Sequence, residues 1–206
     1  REFAVSVDCD DPHAIDVCAT GGDGADTFNI STAATLVAAG AGVTVAKHGN
    51  RSVSSKSGSA DVLEALGVKI DLEKPGVEYC LEEAGVAFLF APYFHPAMRH
   101  VMPVRKALGV RTFFNVLGPL CNPAGVRRQL VGAFDTKTAQ WMVRILAQLD
   151  AEHVVTVHSQ DGMDEVSISA ATTLFEYDAS APNPVPRSRE IGPEKHGFTR
   201  VPAKAL

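Results

Sequence analysis

Ala14-Ile-Asp-Val-Cys-Ala-Thr20 is a short, largely apolar run, broken only by Asp16, that stops at Gly21-Gly22-Asp23-Gly24. A run of that length ending in glycines reads as a buried strand. An alanine-rich helical pattern follows from Asn29 to Ala39, and Val43-Thr-Val-Ala46 is short and β-branched, so a second strand. Strand, glycine turn, helix and strand in that order are the building unit of an α/β fold.

The same alternation continues outward. Helices are expected over Ser59–Leu66, with Ser59 as the cap and Gly67 past the end, and over Val77–Ala84. Val86–Phe90 reads as a third strand, and Pro96–Leu108 as a helix that Pro103 kinks or splits. Gln129–Phe134 and His153–His158 read as strands flanking a helix over Lys137–Leu149, and Ser167–Ser169 with Thr172–Tyr177 as a hairpin. The expected fold is therefore α/β, a mainly parallel sheet flanked by helices. Ala181-Pro-Asn-Pro-Val-Pro186 is a proline-rich loop or linker.

The 206 residues suit one ordinary domain, and the apolar share of 46% with 21% charged is that of a globular protein. A net charge of −5 argues against a general binder of nucleic acid or membrane surface. Cys9, Cys18, Cys80 and Cys121 are far apart, which reads as reduced thiols in the cytoplasm. His95 and His100 fall on different faces of a helix, so no metal-binding histidine pattern is present. No apolar stretch reads as a membrane span, no signal peptide opens the chain, and its abrupt start suggests a fragment.

Three stretches carry chemistry. In Gly21-Gly22-Asp23-Gly24 the glycines allow positive φ and leave no Cβ in the way, so successive N–H groups can form an anion nest. Asn29, Ser31 and Thr32 add short polar groups at the start of the next helix, whose dipole favours negative charge. A tight turn before an ordinary capped helix explains the same residues. Lys47-His48-Gly49-Asn50-Arg51 leaves the second strand at the sheet edge where ligands bind. There Lys47 can neutralise a diphosphate, His48 and Asn50 can orient a second substrate, and Gly49 permits close approach; a solvated loop is the plainer alternative. Asp164-Glu165 sets two hard oxygen ligands side by side after a strand, suited to an ion bridging pyrophosphate or to an ordinary acidic turn. Arg105 offers a fork matching a carboxylate, and His95 stands before Pro96 as a site residue or a helix-start residue.

In order, Thr20-Gly-Gly-Asp-Gly24, Thr27-Phe-Asn-Ile-Ser-Thr32 and Lys47-His-Gly-Asn-Arg51 with Ser54-Ser55 resemble the anthranilate phosphoribosyltransferases. The likeness continues through Gly58-Ser-Ala-Asp61, Phe94-His-Pro-Ala97, Val104-Arg-Lys106 and Arg111-Thr-Phe-Phe-Asn115. It resumes at Leu117-Gly-Pro-Leu-Cys-Asn-Pro123 and Gly162-Met-Asp-Glu165. The resemblance implies the large domain of the nucleoside phosphorylase/phosphoribosyltransferase fold, with the amino-terminal helical domain largely absent. It implies transfer of the phosphoribosyl group of phosphoribosyl pyrophosphate (PRPP) to the amine of anthranilate, with Mg²⁺ as cofactor. By that likeness Thr20, Gly21, Gly22, Asp23, Thr27, Asn29, Ser31, Thr32, Lys47 and Ser55 hold PRPP. His48, Asn50, His95, Arg105 and Gly118 line the anthranilate path, Ser31, Asp164 and Glu165 bind the metal, and Lys47, His48 and Asn50 serve catalysis.

The likeness also implies a cytoplasmic homodimer acting on small molecules, and a division into residues 1–13 as a remnant or linker, 14–178 as the substrate-binding domain and 179–206 as a linker and shortened end. Ala19 departs from the family's usual glycine, and its methyl is expected to crowd the pyrophosphate loop. A pyrimidine nucleoside phosphorylase, or a binding module without catalysis on the same fold, are the rival expectations. Lys47-His48-Gly49-Asn50 opposes the first, and the acidic pair and net charge oppose the second.

Overall fold

The computed structural model describes all residues except 1, 25–26, 52–56, 109–111 and 202–206; the side chains of 105, 106 and 108 also lie outside the description. The elements are β1 (Ile15–Ala19), α1 (Ile30–Gly40), β2 (Val45–Gly49), α2 (Ser59–Ala65), α3 (Lys74–Ala84), β3 (Val86–Phe90) and α4 (Ala91–Phe94). They continue with α5 (Met102–Leu108), α6 (Phe114–Leu117), β4 (Arg128–Gly132), α7 (Thr136–Gln148), β5 (His153–Ser159), β6 (Thr172–Asp178) and β7 (Arg187–Ile191). One seven-stranded sheet has the order β3-β2-β1-β4-β5-β6-β7. The pairs from β3 to β5 are parallel, and β6 and β7 add antiparallel edges.

The order reverses between β1 and β4. The chain leaves β1 toward β2 on one side and later returns to pair β4 on the other, with Ala19 opposite Gly132. A crevice at the carboxyl ends of such strands is where ligands bind in open α/β sheets. The core forms because apolar strands are sandwiched by amphipathic helices. Met142, Val143 and Leu146 of α7 are at most 1% exposed, packed on Cys18, Val131, Val154 and Phe175, and each contributes about 1.5–3 kcal/mol. On the outer strands, Val77 and Leu81 of α3 pack against Ala46, Ala87 and Leu89, while Ala60 and Leu63 of α2 pack against Phe88. Val7 joins the first of these clusters, and its N–H donates to Pro123 O.

Four expectations need correction. β2 runs over Val45–Gly49 rather than stopping at Ala46, because Lys47, His48 and Gly49 pair in register with Phe88, Leu89 and Phe90. Lys47 and His48 are thus strand residues. The expected split of the 96–108 helix falls at Val101 and not at Pro103, between a 3-10 turn, Pro96–His100, and α5, in whose first turn Pro103 is tolerated. Ser167–Ser169 forms no strand: Thr172–Asp178 instead pairs with β5 on one side and β7 on the other. β7 itself carries no strand signal in the sequence, since Arg187-Ser-Arg-Glu-Ile191 is charged and four of its five residues are exposed, as an edge strand allows. The proline-rich stretch joins β6 to β7.

Candidate functional site

The glycine loop leaves β1 with Gly21, Gly22 and Gly24 at φ of 67°, 81° and 73°, a region that a side chain would strain. Thr20 pins its near end: its N–H donates to Gly132 O at 2.9 Å, and its hydroxyl accepts from Phe134 N–H at 3.1 Å. The far end is α1, which starts here because Asn29 Oδ1 accepts the Thr32 N–H at 3.0 Å. Asn29 is therefore a helix cap in this structure. Thr27 is half-buried between loop and helix. The Thr32 hydroxyl is buried without a hydrogen-bond partner among the described residues, a state that costs about 1–3 kcal/mol unless a ligand meets it.

Lys47 crosses under this loop from β2. It is 2% exposed, and its ammonium donates to Val17 O at 2.5 Å and Ser31 Oγ at 3.1 Å. Burial lowers its pKa, and the nearby Asp16 and Glu165 carboxylates oppose that. The acidic turn after β5 closes the site from the other side. Asp164 Oδ2 accepts the Gly21 N–H at 3.1 Å, and Glu165 accepts the Ser31 N–H at the start of α1. Burial, then repulsion from Asp23, raises Asp164 to about 7; burial, then Asp164, raises Glu165 to about 8. Crowded, largely desolvated carboxylates of this kind favour a cation. Among the described residues, no three His, Cys, Asp or Glu side chains are gathered closely enough to enclose a metal alone. Two carboxylates and a hydroxyl beside a positive-φ glycine loop do suit Mg²⁺, which keeps waters and takes phosphate oxygens as further ligands.

A second cluster lies beside the first. The His48 ring meets Gly118 O through Nδ1 at 3.1 Å and His95 Nε2 through Nε2 at 3.1 Å. Burial pushes both imidazoles down to about 4, so they are neutral at physiological pH. His48, His95 and Gly118 are thereby brought together. Asn50 does not join them: it is exposed, and its Oδ1 accepts the Arg51 N–H. Arg51 turns onto α2, pairing with Asp61 and Glu64. Gly49 has a packing role, because a Cβ there would stand 2.7 Å from the Phe88 ring. Ser55 and the Arg105 side chain lie outside the described residues.

Three further residues are not singled out by the sequence reading. Asp16 is fully buried; Oδ1 accepts the His48 N–H at 3.1 Å and Oδ2 accepts Asn122 Nδ2 at 2.8 Å. An aspartate inside an apolar strand is the available signal, since carboxylates are rarely buried without partners. Asn122 is the second. Gly132 is the third: a Cβ on it would lie 1.7 Å from Asp164 O and 3.1 Å from the Ala19 methyl. The acidic turn thus rests directly on the end of β4.

A family model described as the a/b domain of a glycosyl transferase family matches residues 11–206. The chain belongs to this glycosyl transferase family. Among members similar to this domain, the anthranilate phosphoribosyltransferase of Salinibacter ruber is 78% identical over 206 residues, all of this chain and 60% of the relative. That of Thermomicrobium roseum is 57% identical over 192 residues, covering 93% of this chain and 55% of the relative. The anthranilate phosphoribosyltransferase structure from Thermus thermophilus matches with a TM-score of 0.88 at 44% identity, over all of this chain and 59% of that one. The Saccharomyces cerevisiae enzyme in complex with PRPP and Mg matches with a TM-score of 0.88 at 31% identity, over 98% of this chain and 55% of that one. The glycosyl transferase domain here therefore spans about 60% of the length of the curated relatives it matches. Among its described residues no helix is long and apolar enough to cross a membrane, and all four cysteines are free.

Proposed function

We propose that the whole protein containing this domain transfers the phosphoribosyl group of PRPP to the amine of anthranilate, releasing pyrophosphate. One observation carries the proposal: a positive-φ glycine loop, the α1 amino terminus, the buried Lys47 and the Asp164–Glu165 turn converge at the switch point of the sheet. Loop amides and Lys47 receive the diphosphate. Ser31, Asp164 and Glu165 are the residues that would hold Mg²⁺, which when bound neutralises pyrophosphate charge. His48, His95 and Gly118, with Arg105 and Asn50 from the family likeness, position the amine against C1 of the ribose. Charge grows on the departing pyrophosphate, so fixed positive groups and positioning supply the acceleration. A homodimer and a cytoplasmic setting belong to the same proposal, as does the division at residues 13 and 178, which leaves Val7 of the core and β7 of the same sheet in the outer segments.

Loss of anthranilate fluorescence on adding PRPP and Mg²⁺ to the whole protein tests this. Turnover that requires all three components is expected. Phosphorolysis of thymidine in place of that reaction would favour a nucleoside phosphorylase instead.

A further inference from the structure

We propose that Asp16, through Asn122, is a positioning residue that sets the pose of His48 toward the second substrate. The proposal rests on the phosphoribosyl-transfer reading, in which that substrate is an aromatic amine carrying a carboxylate. Asp16 is 0% exposed as the second residue of β1, where a bare carboxylate is costly unless several donors meet it. Besides the Cys18 thiol on its own strand, the donors it meets come from two different segments. Oδ1 takes the main-chain N–H of His48 in β2, and Oδ2 takes Nδ2 of Asn122. The same Asn122 Nδ2 donates to Ala46 O at 2.8 Å, and its Oδ1 accepts the Ala124 N–H at 2.9 Å.

Asn122 follows Gly118–Leu120, and Gly118 O is the atom that the His48 ring engages. His48 is therefore gripped twice by one assembly: its backbone by Asp16, its ring by the segment that Asp16 ties down through Asn122. The glycine loop is held separately, by Gly132, Phe134 and Asp164. Disturbing the clasp at Asn122 should move His48, and with it His95 at 3.1 Å, while leaving the diphosphate cradle in place; at Asp16 it also removes a carboxylate that supports the Lys47 charge.

The geometry also dictates how the clasp can be broken. In Asp16→Asn an amide must face the Asn122 amide or the His48 N–H, so one donor meets another. In Asn122→Asp a second carboxylate faces Asp16. Pairing the two substitutions restores a donor against an acceptor between positions 16 and 122, at the loss of the contact to Ala46 O.

The test is steady-state kinetics on the whole protein with Asp16→Asn, Asn122→Asp, Asn122→Ala and the paired Asp16→Asn, Asn122→Asp variant, with thermal unfolding alongside. Each single variant should raise the KM for the aromatic amine about 10-fold, the effect of losing a charge-assisted hydrogen bond, and the two Asn122 variants should change the KM for PRPP less than about twofold. The paired variant should recover part of the loss. Equal changes in both KM values in the Asn122 variants, or a paired variant no better than the worse single one, would overturn the proposal. So would failure of all four to fold, because the residues would then be holding the sheet together. If the wild-type protein does not turn over PRPP with anthranilate at all, the reading beneath the proposal fails first.

Discussion

His48 shows how much a strand position changes the meaning of a side chain. As a loop residue it would titrate near its ordinary value; buried beside β3 it is held at about 4. Between pH 6.5 and 4 the unfolded chain binds a proton at this position that the folded chain refuses. The contribution of His48 to stability is therefore full above pH 6.5, falls as the pH drops toward 4, and levels off below. For His48 alone the loss reaches about 3 kcal/mol. The raised Asp164 and Glu165 act with the opposite sign, losing stability as the pH rises from about 4 toward 8. The measurement is thus a difference: urea midpoints of wild type and His48→Asn should diverge between about pH 7 and about pH 4.5, wild type falling further with acid. Parallel pH profiles would contradict the burial of a neutral imidazole. At this scale the sequence is legible where a residue type is chemically unusual for its neighbourhood. The run of glycines, Lys47 with His48, and Asp164 with Glu165 all stand out in that way. Asp16 stands out only as a carboxylate in an apolar run, and Asn122 not at all, because their meaning lies in each other and 106 residues separate them.

The acidic turn after β5 is an element with its own scaffold. Asp161 Oδ2 accepts the Ser167 hydroxyl at 2.5 Å, Ser159 N–H donates to Met163 O at 3.0 Å, and Ser167 N–H donates to Thr172 Oγ1 at 3.0 Å. These bonds present Asp164 and Glu165 to the glycine loop as a rigid block, and Gly132 is the floor it rests on. Gly132→Ala should cost about 1–3 kcal/mol of stability as the turn is forced away, and should weaken Mg²⁺-dependent PRPP binding. Ala19→Gly, across the register from it, would on sequence alone relieve crowding of pyrophosphate. The methyl instead faces the Gly132 position, so a change in the PRPP KM of less than about twofold is expected there, under about 0.5 kcal/mol. Urea unfolding and calorimetric PRPP titration separate the two; a Gly132→Ala protein with wild-type stability and affinity would refute the packing argument. The turn is readable in the sequence as two carboxylates after a strand. Its attachment is not, since a close backbone approach leaves no mark except a glycine at a strand end. Element boundaries differ for similar reasons: β2 extends past Ala46 because β3 supplies ladder partners, and β7 exists because β6 offers an edge.

Across the whole molecule, α/β alternation and the strand-end loops locate the site at one edge of the sheet without knowledge of its contacts. The surface bears on whether this stretch of chain works by itself. Helix α1 is apolar along most of its length, yet only Thr32 and Thr35 are buried, while Leu36 and Val37 are 48% and 73% exposed. Helices that apolar are ordinarily covered on several sides. The 206-residue chain by itself should accordingly turn over far more slowly than a protein of its relatives' length, with Mg²⁺-dependent affinity for pyrophosphate retained; equal kcat values would show that this domain suffices. Asp164→Asn with Glu165→Gln in the whole protein should fold normally and lose Mg²⁺-dependent turnover, which steady-state assays at saturating PRPP would show. The convergence of loop, helix end and acidic turn on the Lys47 ammonium is tested most directly by calorimetric titration of PRPP, with Mg²⁺, into the whole protein and its Lys47→Met variant. Methionine fills the same buried channel without the charge. A folded variant whose affinity for PRPP has dropped about 100-fold, roughly 2.7 kcal/mol, is the expected result. Unchanged affinity in a folded Lys47→Met protein would mean that PRPP is held somewhere else.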